Sequence, residues 1–157
     1  MDGKLSGSFQ TGESSGILTQ PFTLTNAQIV SLYSAPTLVI PAPPSGSLIE
    51  VVGYTLENIN GGTAYLLGGS INLFYGASAS PPLYAGATAI GAGFMTGPVV
   101  TQIIRANGAN GTASTGNPSS DVIGVGLYIG CLTQNFSQVG NAGTMRGLIT
   151  YRITTGW

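Results

Sequence analysis

Residues 47–58 read SLIEVVGYTLEN, and this stretch decides the fold class. Its side chains alternate in a period of two, which is the period of a β-strand whose successive residues point to opposite faces. The sequence therefore predicts one long strand. One face holds Leu48, Glu50, Val52, Tyr54 and Leu56, and the other holds Ile49, Val51, Gly53, Thr55 and Glu57.

Strand and turn signals continue on both sides of this stretch. The residues 37–40 (TLVI) predict a strand, PAPPSG at 41–46 predicts a turn, and Asn60-Gly61-Gly62 is typical of a hairpin turn. Four further strands are predicted at 70–75, 99–106, 122–131 and 144–154. Many short strands without alternating helices indicate an all-β fold, an antiparallel β-sandwich of jelly-roll-like type.

Glycines occupy one face of the predicted strand at 122–131 (VIGVGLYIGC). A strand face without side chains lets another backbone or a large ring approach closely. Either internal packing that involves Tyr128 or a contact between subunits would use this space, and internal packing is the commoner case.

The segment before the first of these strands predicts one short helix within a simple domain plan. Thr25 and Gln28 have the spacing of a capping box, so a helical turn is expected at 27–32, ending before Pro36. A second turn at 87–95 is less favoured because it contains two glycines. Residues 1–20 are predicted to form a flexible N-terminal arm, and residues 21–157 a single β-sandwich domain.

The charge content is the most informative number in the composition. Charged residues make up 6% of the chain and hydrophobic residues 43%, with 25 glycines. A surface made mostly of Ser, Thr, Asn, Gln and Gly suits packing against copies of itself or a partner, because few ions must be desolvated there. Four basic residues do not form a phosphate-binding patch, so no nucleic acid is expected as a partner.

Membrane and export signals are not found in the sequence. No apolar run reaches the ~18–20 residues that span a bilayer, and the N-terminal residues MDGKLSGSFQTGESSG are polar. The single cysteine, Cys131, agrees with a reducing compartment. We therefore expect no membrane partner and a cytoplasmic site of synthesis and assembly.

The residue types argue against an enzyme. The chain has no histidine, so catalytic triads and histidine-bound zinc are excluded, and we expect no cofactor and no metal. Glu50 and Glu57 are an odd number of residues apart, so they are predicted to lie on opposite faces of their strand. Glu50 is expected to pair with Arg105, Arg146 or Arg152, and Cys131 to be a small core residue.

A few large apolar residues near the chain ends are candidate assembly contacts. Phe9, with Ile17, Leu18 and Phe22 further along the chain, would tie the protein to a neighbour. Trp157 would either anchor in a partner's pocket or fold back over its own sheet edge.

Residues 21–57, PFTLTNAQIVSLYSAPTLVIPAPPSGSLIEVVGYTLE, resemble a segment of tailed-bacteriophage virion proteins. In that segment a TxAQIxxL turn leads into a proline-flanked β-branched strand, a Pro–Gly turn and a long alternating strand. The resemblance implies a capsid decoration (cement) or minor head protein. It further implies a homotrimer that binds the major capsid protein on the exterior of the virion head and stabilises the shell.

Two other functions stay open at this stage. A tail, neck or fibre-base protein would share the composition and the fold. A carbohydrate- or receptor-binding sandwich would need exposed aromatic side chains, which Tyr33, Tyr65, Tyr75 and Tyr84 could supply. Tyrosines in sandwiches more often serve core or edge packing.

Overall fold

Two four-stranded antiparallel sheets and one small two-stranded sheet make up the fold. The computed structural model describes residues 16–59, 61–79, 82–85, 90–91, 93–96, 102–107, 122–137 and 143–156. The strands are β1 (Leu18–Leu24), β2 (Thr37–Ile40), β3 (Ser47–Ile59), β4 (Leu66–Leu67), β5 (Ile71–Ala79), β6 (Pro82–Tyr84), β7 (Gln102–Asn107), β8 (Leu127–Cys131), β9 (Phe136–Ser137) and β10 (Thr144–Thr155).

Sheet A has the strand order β1-β10-β3-β7, and sheet B has the order β2-β8-β5-β6. Strands β4 and β9 form the small third sheet. Buried residues from both large sheets, such as Ile49 and Leu56 of sheet A and Leu73 and Ile129 of sheet B, belong to one hydrophobic core. The prediction of an all-β antiparallel sandwich is confirmed.

The predicted hairpin at Asn60-Gly61-Gly62 is wrong. The strand before it, β3, pairs with β10 and β7 in sheet A, whereas the next long strand, β5, lies in sheet B. A glycine-rich turn shows only that the chain changes direction. Which strand pairs with β3 depends on which strand completes the buried face of sheet A. Here the chain crosses to sheet B after β3 instead of pairing with it.

A β-bulge interrupts the regular alternation of β3. Thr150 pairs with Gly53 and Tyr151 pairs with Val51, so Val52 is left without a cross-strand partner. The inward side chains before the bulge are those of Ser47, Ile49 and Val51, and after it those of Tyr54, Leu56 and Asn58. The predicted faces are therefore wrong for residues 48–52, because one extra residue reverses the parity of a strand.

The capping box is confirmed, and it starts a short helix, α1 (Asn26–Ile29). The Thr25 side chain accepts a hydrogen bond from the Gln28 backbone N–H at 3.4 Å, and the Gln28 side chain accepts one from the Thr25 N–H at 2.9 Å. A second helix, α2, spans Gly93–Thr96. None of the described helices has the length and apolar character needed to cross a membrane.

The first strand takes up part of the segment predicted as an arm. Residues 18–20 belong to β1, which pairs along its length with β10. Residues 1–15 lie outside the described part of the chain. The arm therefore stays a prediction, for a segment that ends earlier than residue 20.

Strand β8 starts later than predicted and uses its glycine for internal packing. Gly124 has a φ of +70°, a left-handed conformation that a strand does not contain. A Cβ on Gly130 would lie 2.9 Å from a ring carbon of Phe74 and 3.1 Å from the Leu32 carbonyl oxygen. The close approach is therefore internal, and the ring that uses it belongs to Phe74 rather than to Tyr128.

Candidate assembly surface

The outer face of sheet A is formed by side chains that the strand register brings side by side. One cross-strand row contains Pro21, Leu148 and Thr55, and the next contains Thr23, Arg146, Glu57 and Ile103. Residues of these two rows line an open depression of about 590 Å³. We call it the sheet A depression. Its exposed apolar side chains are those of Pro21, Ile103 and Leu148.

Two ion pairs lie on this outer face. Arg146 donates from Nε to the Glu57 carboxylate. Arg152 donates from Nε and Nη2 to the two carboxylate oxygens of Glu50, each at 2.7 Å, in the bidentate geometry that suits guanidinium and carboxylate. The hydrogen bond from Arg152 lowers the pKa of Glu50, although partial burial acts in the opposite direction.

The partner expected for Glu50 is therefore confirmed as Arg152, but the predicted separation of the two carboxylates is wrong. The bulge at Val52 turns Glu50 outward, so that it shares the outer face of sheet A with Glu57. Arg105 lies on β7, where the register places it opposite Thr55 of β3.

Charge is confined to this face among the residues whose side chains the structure describes. Those residues include four charged ones, Glu50, Glu57, Arg146 and Arg152, and all four take part in the two ion pairs. The rest of the described surface is uncharged. Large apolar side chains are exposed both on the outer face of sheet A and elsewhere, at Ile17, Tyr33, Leu38, Val52, Leu66, Leu67, Ile103 and Leu148. Such a surface can be covered by a neighbour without desolvating unpaired ions.

A second feature is the exposed pair Leu66–Leu67, which we call the leucine knob. These two residues form β4 and pair with Phe136 and Ser137 of β9. Their side chains are 52% and 62% exposed, and Leu67 has a φ of 57°, in the left-handed region. A Cβ on the nearby Gly69 would overlap the Leu132 carbonyl oxygen, so the chain around the knob is held close to the segment before β9.

The candidate contact residues named from the sequence are not brought together. Ile17 is 68% exposed, whereas Leu18 is half-buried in β1. The ring of Phe22 packs against the core and lies over Gly147, where a side chain would clash with it. Phe9 and Trp157 lie outside the described residues.

Two of the four tyrosines considered for a sugar platform are buried. Tyr65 is fully buried and donates its hydroxyl to Asn26 Oδ1 at 2.9 Å and to the Gly143 carbonyl at 3.2 Å. Tyr75 is also buried and donates to the Ile49 carbonyl. Burial raises the pKa of both hydroxyls to about 12. Of the proposed platform, only Tyr33 has a described and exposed side chain, so packing explains the other two described tyrosines.

Within the described ranges, no three His, Cys, Asp or Glu side chains gather where they could hold a metal ion. Cys131 is buried and donates its thiol to the Gln134 carbonyl at 3.1 Å, and burial raises its pKa. Its expected role as a small core residue is confirmed.

Sequence reasoning missed both the leucine knob and the sheet A depression. The depression combines residues of four strands that are far apart in the chain, so only the register reveals it. The knob had one signal that could have found it, because two leucines between Tyr65 and Gly68 have no alternating pattern to bury them.

A scan of protein-family models gives no match to this sequence, and a search of curated proteins gives none either. Among solved structures, the chain is similar to one from the "Cyanophage Pam1 capsid asymmetric unit". The TM-score is 0.47 at 18% identity, over 91% of this chain and 89% of that chain. A likeness at this level transfers neither function nor assembly from one protein to the other.

Proposed function

We propose that this protein is a structural subunit of a phage virion, specifically a capsid decoration (cement) protein that binds the head exterior as a homotrimer. The observation that carries the proposal is the distribution of charge over the folded domain. Every described charged side chain is neutralised in an ion pair on one sheet face, and the remaining described surface is uncharged. A subunit of this kind is suited to being covered by neighbours.

The strand order gives a second line of support. Strands β1, β3 and β7 lie in sheet A and alternate along the chain with β2, β5 and β8 of sheet B. This interleaving of two four-stranded sheets favours a jelly roll, an architecture that viral capsid domains use. Because a fold does not imply a function, the strand order supports the proposal only together with the charge distribution and the resemblance of residues 21–57 to phage virion proteins.

The proposed mechanism is stabilisation by mass action. A subunit that binds only the assembled shell shifts the equilibrium away from shell opening, in the same way that a ligand stabilises the state to which it binds. Many individually weak contacts act together when symmetry repeats them, because each bound arm or face raises the effective concentration of the next. Neither step requires a catalytic group.

The test uses particles that lack the protein and the purified full chain. After mixing and sedimentation, we expect the chain to appear with the particles in a copy number comparable to that of the major capsid protein. Electron microscopy should then show added density on the head exterior. Failure to sediment with the particles would contradict the virion role.

Copy number also separates the proposal from the tail, neck or fibre-base alternative. A small fraction of the capsid copy number, with density at one vertex or along the tail, would favour that alternative. Deleting residues 2–16 tests whether the N-terminal segment ties the protein to the shell. We expect the deletion to abolish particle binding and to leave the cooperative unfolding of the sandwich unchanged, whereas unchanged occupancy would refute the tie.

A further inference from the structure

We infer that copies of this chain bind each other through a heterologous contact, in which the leucine knob of one copy fills the sheet A depression of the next. The inference deepens the proposed function by naming the surfaces of the oligomer, and it rests on that function only for its biological setting.

The leucine knob is unfavourable in an isolated chain for two independent reasons. Leu67 adopts a φ of 57°, a conformation in which the Cβ of an L-residue crowds the backbone and which glycine adopts at no such cost. Its side chain is also 62% exposed, so its own chain gains little hydrophobic stabilisation in return. Both costs are offset if a partner buries the knob, and a strained residue of this kind points to a contact beyond its own fold.

The sheet A depression is complementary to this knob in chemistry. Its apolar lining comes from Pro21, Ile103 and Leu148, and its ionic groups Arg146 and Glu57 neutralise each other. The segments that carry the knob and its partner strand, 61–69 and 131–137, contain no charged residue. Docking the knob in the depression therefore buries apolar surface on both sides, and the described ionic groups of the depression are already paired with each other.

The contact is assigned to two different copies because the knob is held in place within its own fold. The knob is fixed by the pairing of β4 with β9 and by the neighbouring Tyr65, whose N–H donates to the Met95 carbonyl at 3.2 Å and whose hydroxyl is held by Asn26 and Gly143. The depression lies on the outer face of sheet A, across β1, β10, β3 and β7.

A contact between two different surfaces propagates from copy to copy. Such a head-to-tail contact closes into a ring when its rotation is a simple fraction of a full turn, and otherwise it forms an open filament. The proposed homotrimer is one such ring. The heterologous contact predicts that altering either surface disrupts the same assembly.

The experiment measures self-association of the purified full chain by analytical ultracentrifugation, with no particles present. The Leu67→Lys and Leu148→Glu variants should each raise the dissociation constant at least tenfold. Ile103→Glu is a second variant of the depression, in case Leu148→Glu disturbs the sheet. The matched control is Leu38→Lys, which changes a leucine of similar exposure on sheet B and should associate like the wild type.

Mixing provides the decisive test. When the Leu67→Lys chain is mixed with the Leu148→Glu chain, a lysine knob can face a glutamate depression and a leucine knob can face an unaltered one. Because both pairings join unlike chains and a ring of three cannot alternate two variants, two of its three contacts are restored, so association should return in part. In addition, Leu67→Gly should weaken association. At low protein concentration its free energy of unfolding should be at least that of the wild type, because the substitution relieves backbone strain in the isolated chain.

Three results would overturn the inference: a wild-type chain that is monomeric at every concentration, a loss of association in Leu67→Lys but in neither depression variant, or an equal loss in Leu38→Lys. None of these concerns binding to particles. A chain that associates as described but does not bind particles would support this inference and contradict the proposed function, and a monomer that decorates particles would do the reverse.

Discussion

The outer faces of the two sheets differ in what they carry and in how far the chain itself covers them. Sheet A carries the Glu50–Arg152 and Glu57–Arg146 ion pairs and leaves the Leu148 side chain 43% exposed. On sheet B, one cross-strand row places Leu38, Tyr128, Phe74 and Tyr84 side by side. Phe74 in the middle of this row is fully buried.

The cause of this difference lies in the packing around Gly130. On the outer side of β8 the segment 32–36 and the Phe74 ring approach Gly130 so closely that a side chain there would meet both. The middle of the outer face of sheet B, around Gly130 and Phe74, is therefore covered by its own chain, whereas Leu38 at its edge stays exposed. Sheet A is left open to solvent or to neighbours, and its few ions are paired there so that a neighbour can cover them at little cost.

The largest effect on stability is expected from removing one residue of β3, because the bulge at Val52 sets which of its side chains face outward on sheet A. Deleting Thr55, in the regular half of β3, turns either Tyr54 or Leu56 out of the core. Because a buried side chain and the pairing with two neighbouring strands are lost together, we expect the free energy of unfolding to fall by more than about 5 kcal/mol, measured by urea denaturation.

Deleting Val52 is the matched control. Val52 has no partner on β10, and its removal keeps both Val51 and Tyr54 facing inward. We expect this variant to fold cooperatively and to keep Glu50 beside Arg152. If it were destabilised as much as the Thr55 deletion, the bulge would not be the element that sets the faces of β3.

The sequence could predict those features of the fold that depend on local pattern. The capping box at Thr25 and Gln28, strand β2 and the extent of strand β3 follow from residue types and spacing within a few positions. So does the assignment of an ionic partner to Glu50, because a half-buried carboxylate needs a cation.

Features that depend on pairing between distant strands could not be predicted. A strict period of two has no position for the extra residue at Val52, because a bulge exists only relative to β10. The sheet A depression likewise requires β1, β10, β3 and β7 to be in register, and nothing within any one of these strands encodes that. The candidate site therefore emerges from the fold, whereas the fold class emerges from the sequence.

The covered outer face of sheet B gives the second prediction. Phe74→Ala should lower the free energy of unfolding by about 3–5 kcal/mol, the range for removing a fully buried phenylalanine, although the residue lies on the outer face of its sheet. Leu148→Ala on the outer face of sheet A should change it by less than about 0.5 kcal/mol. Urea denaturation at low protein concentration measures both. Similar losses would mean that the two faces do not differ in coverage.

A smaller effect is expected at the glycine that admits the covering layer. Gly130→Ala places a methyl group 3.1 Å from the Leu32 carbonyl oxygen, which is backbone and cannot turn aside, so we expect a loss of about 1–3 kcal/mol. Gly91→Ala is the control, because a Cβ there meets nothing within 4 Å. Thermal and urea unfolding of the pair should differ in that direction, and a harmless Gly130→Ala would show that the layer is loosely packed.

The smallest expected effect concerns the ions of sheet A. Arg152 lowers the pKa of Glu50 in the folded chain, so the folded state binds that proton more weakly than the unfolded state. The stabilisation is therefore fully present above the unfolded pKa of about 4.3 and is lost as the pH falls towards the lower, folded-state pKa. The Glu50 side chain is 42% exposed, so solvent screening keeps the contribution below about 1 kcal/mol. In Glu50→Gln the difference in unfolding free energy from the wild type should be measurable at pH 7 and should shrink steadily as the pH falls below about 4. A difference that persisted unchanged at pH 3 would show that packing of the side chain, and not the ion pair, stabilises this face.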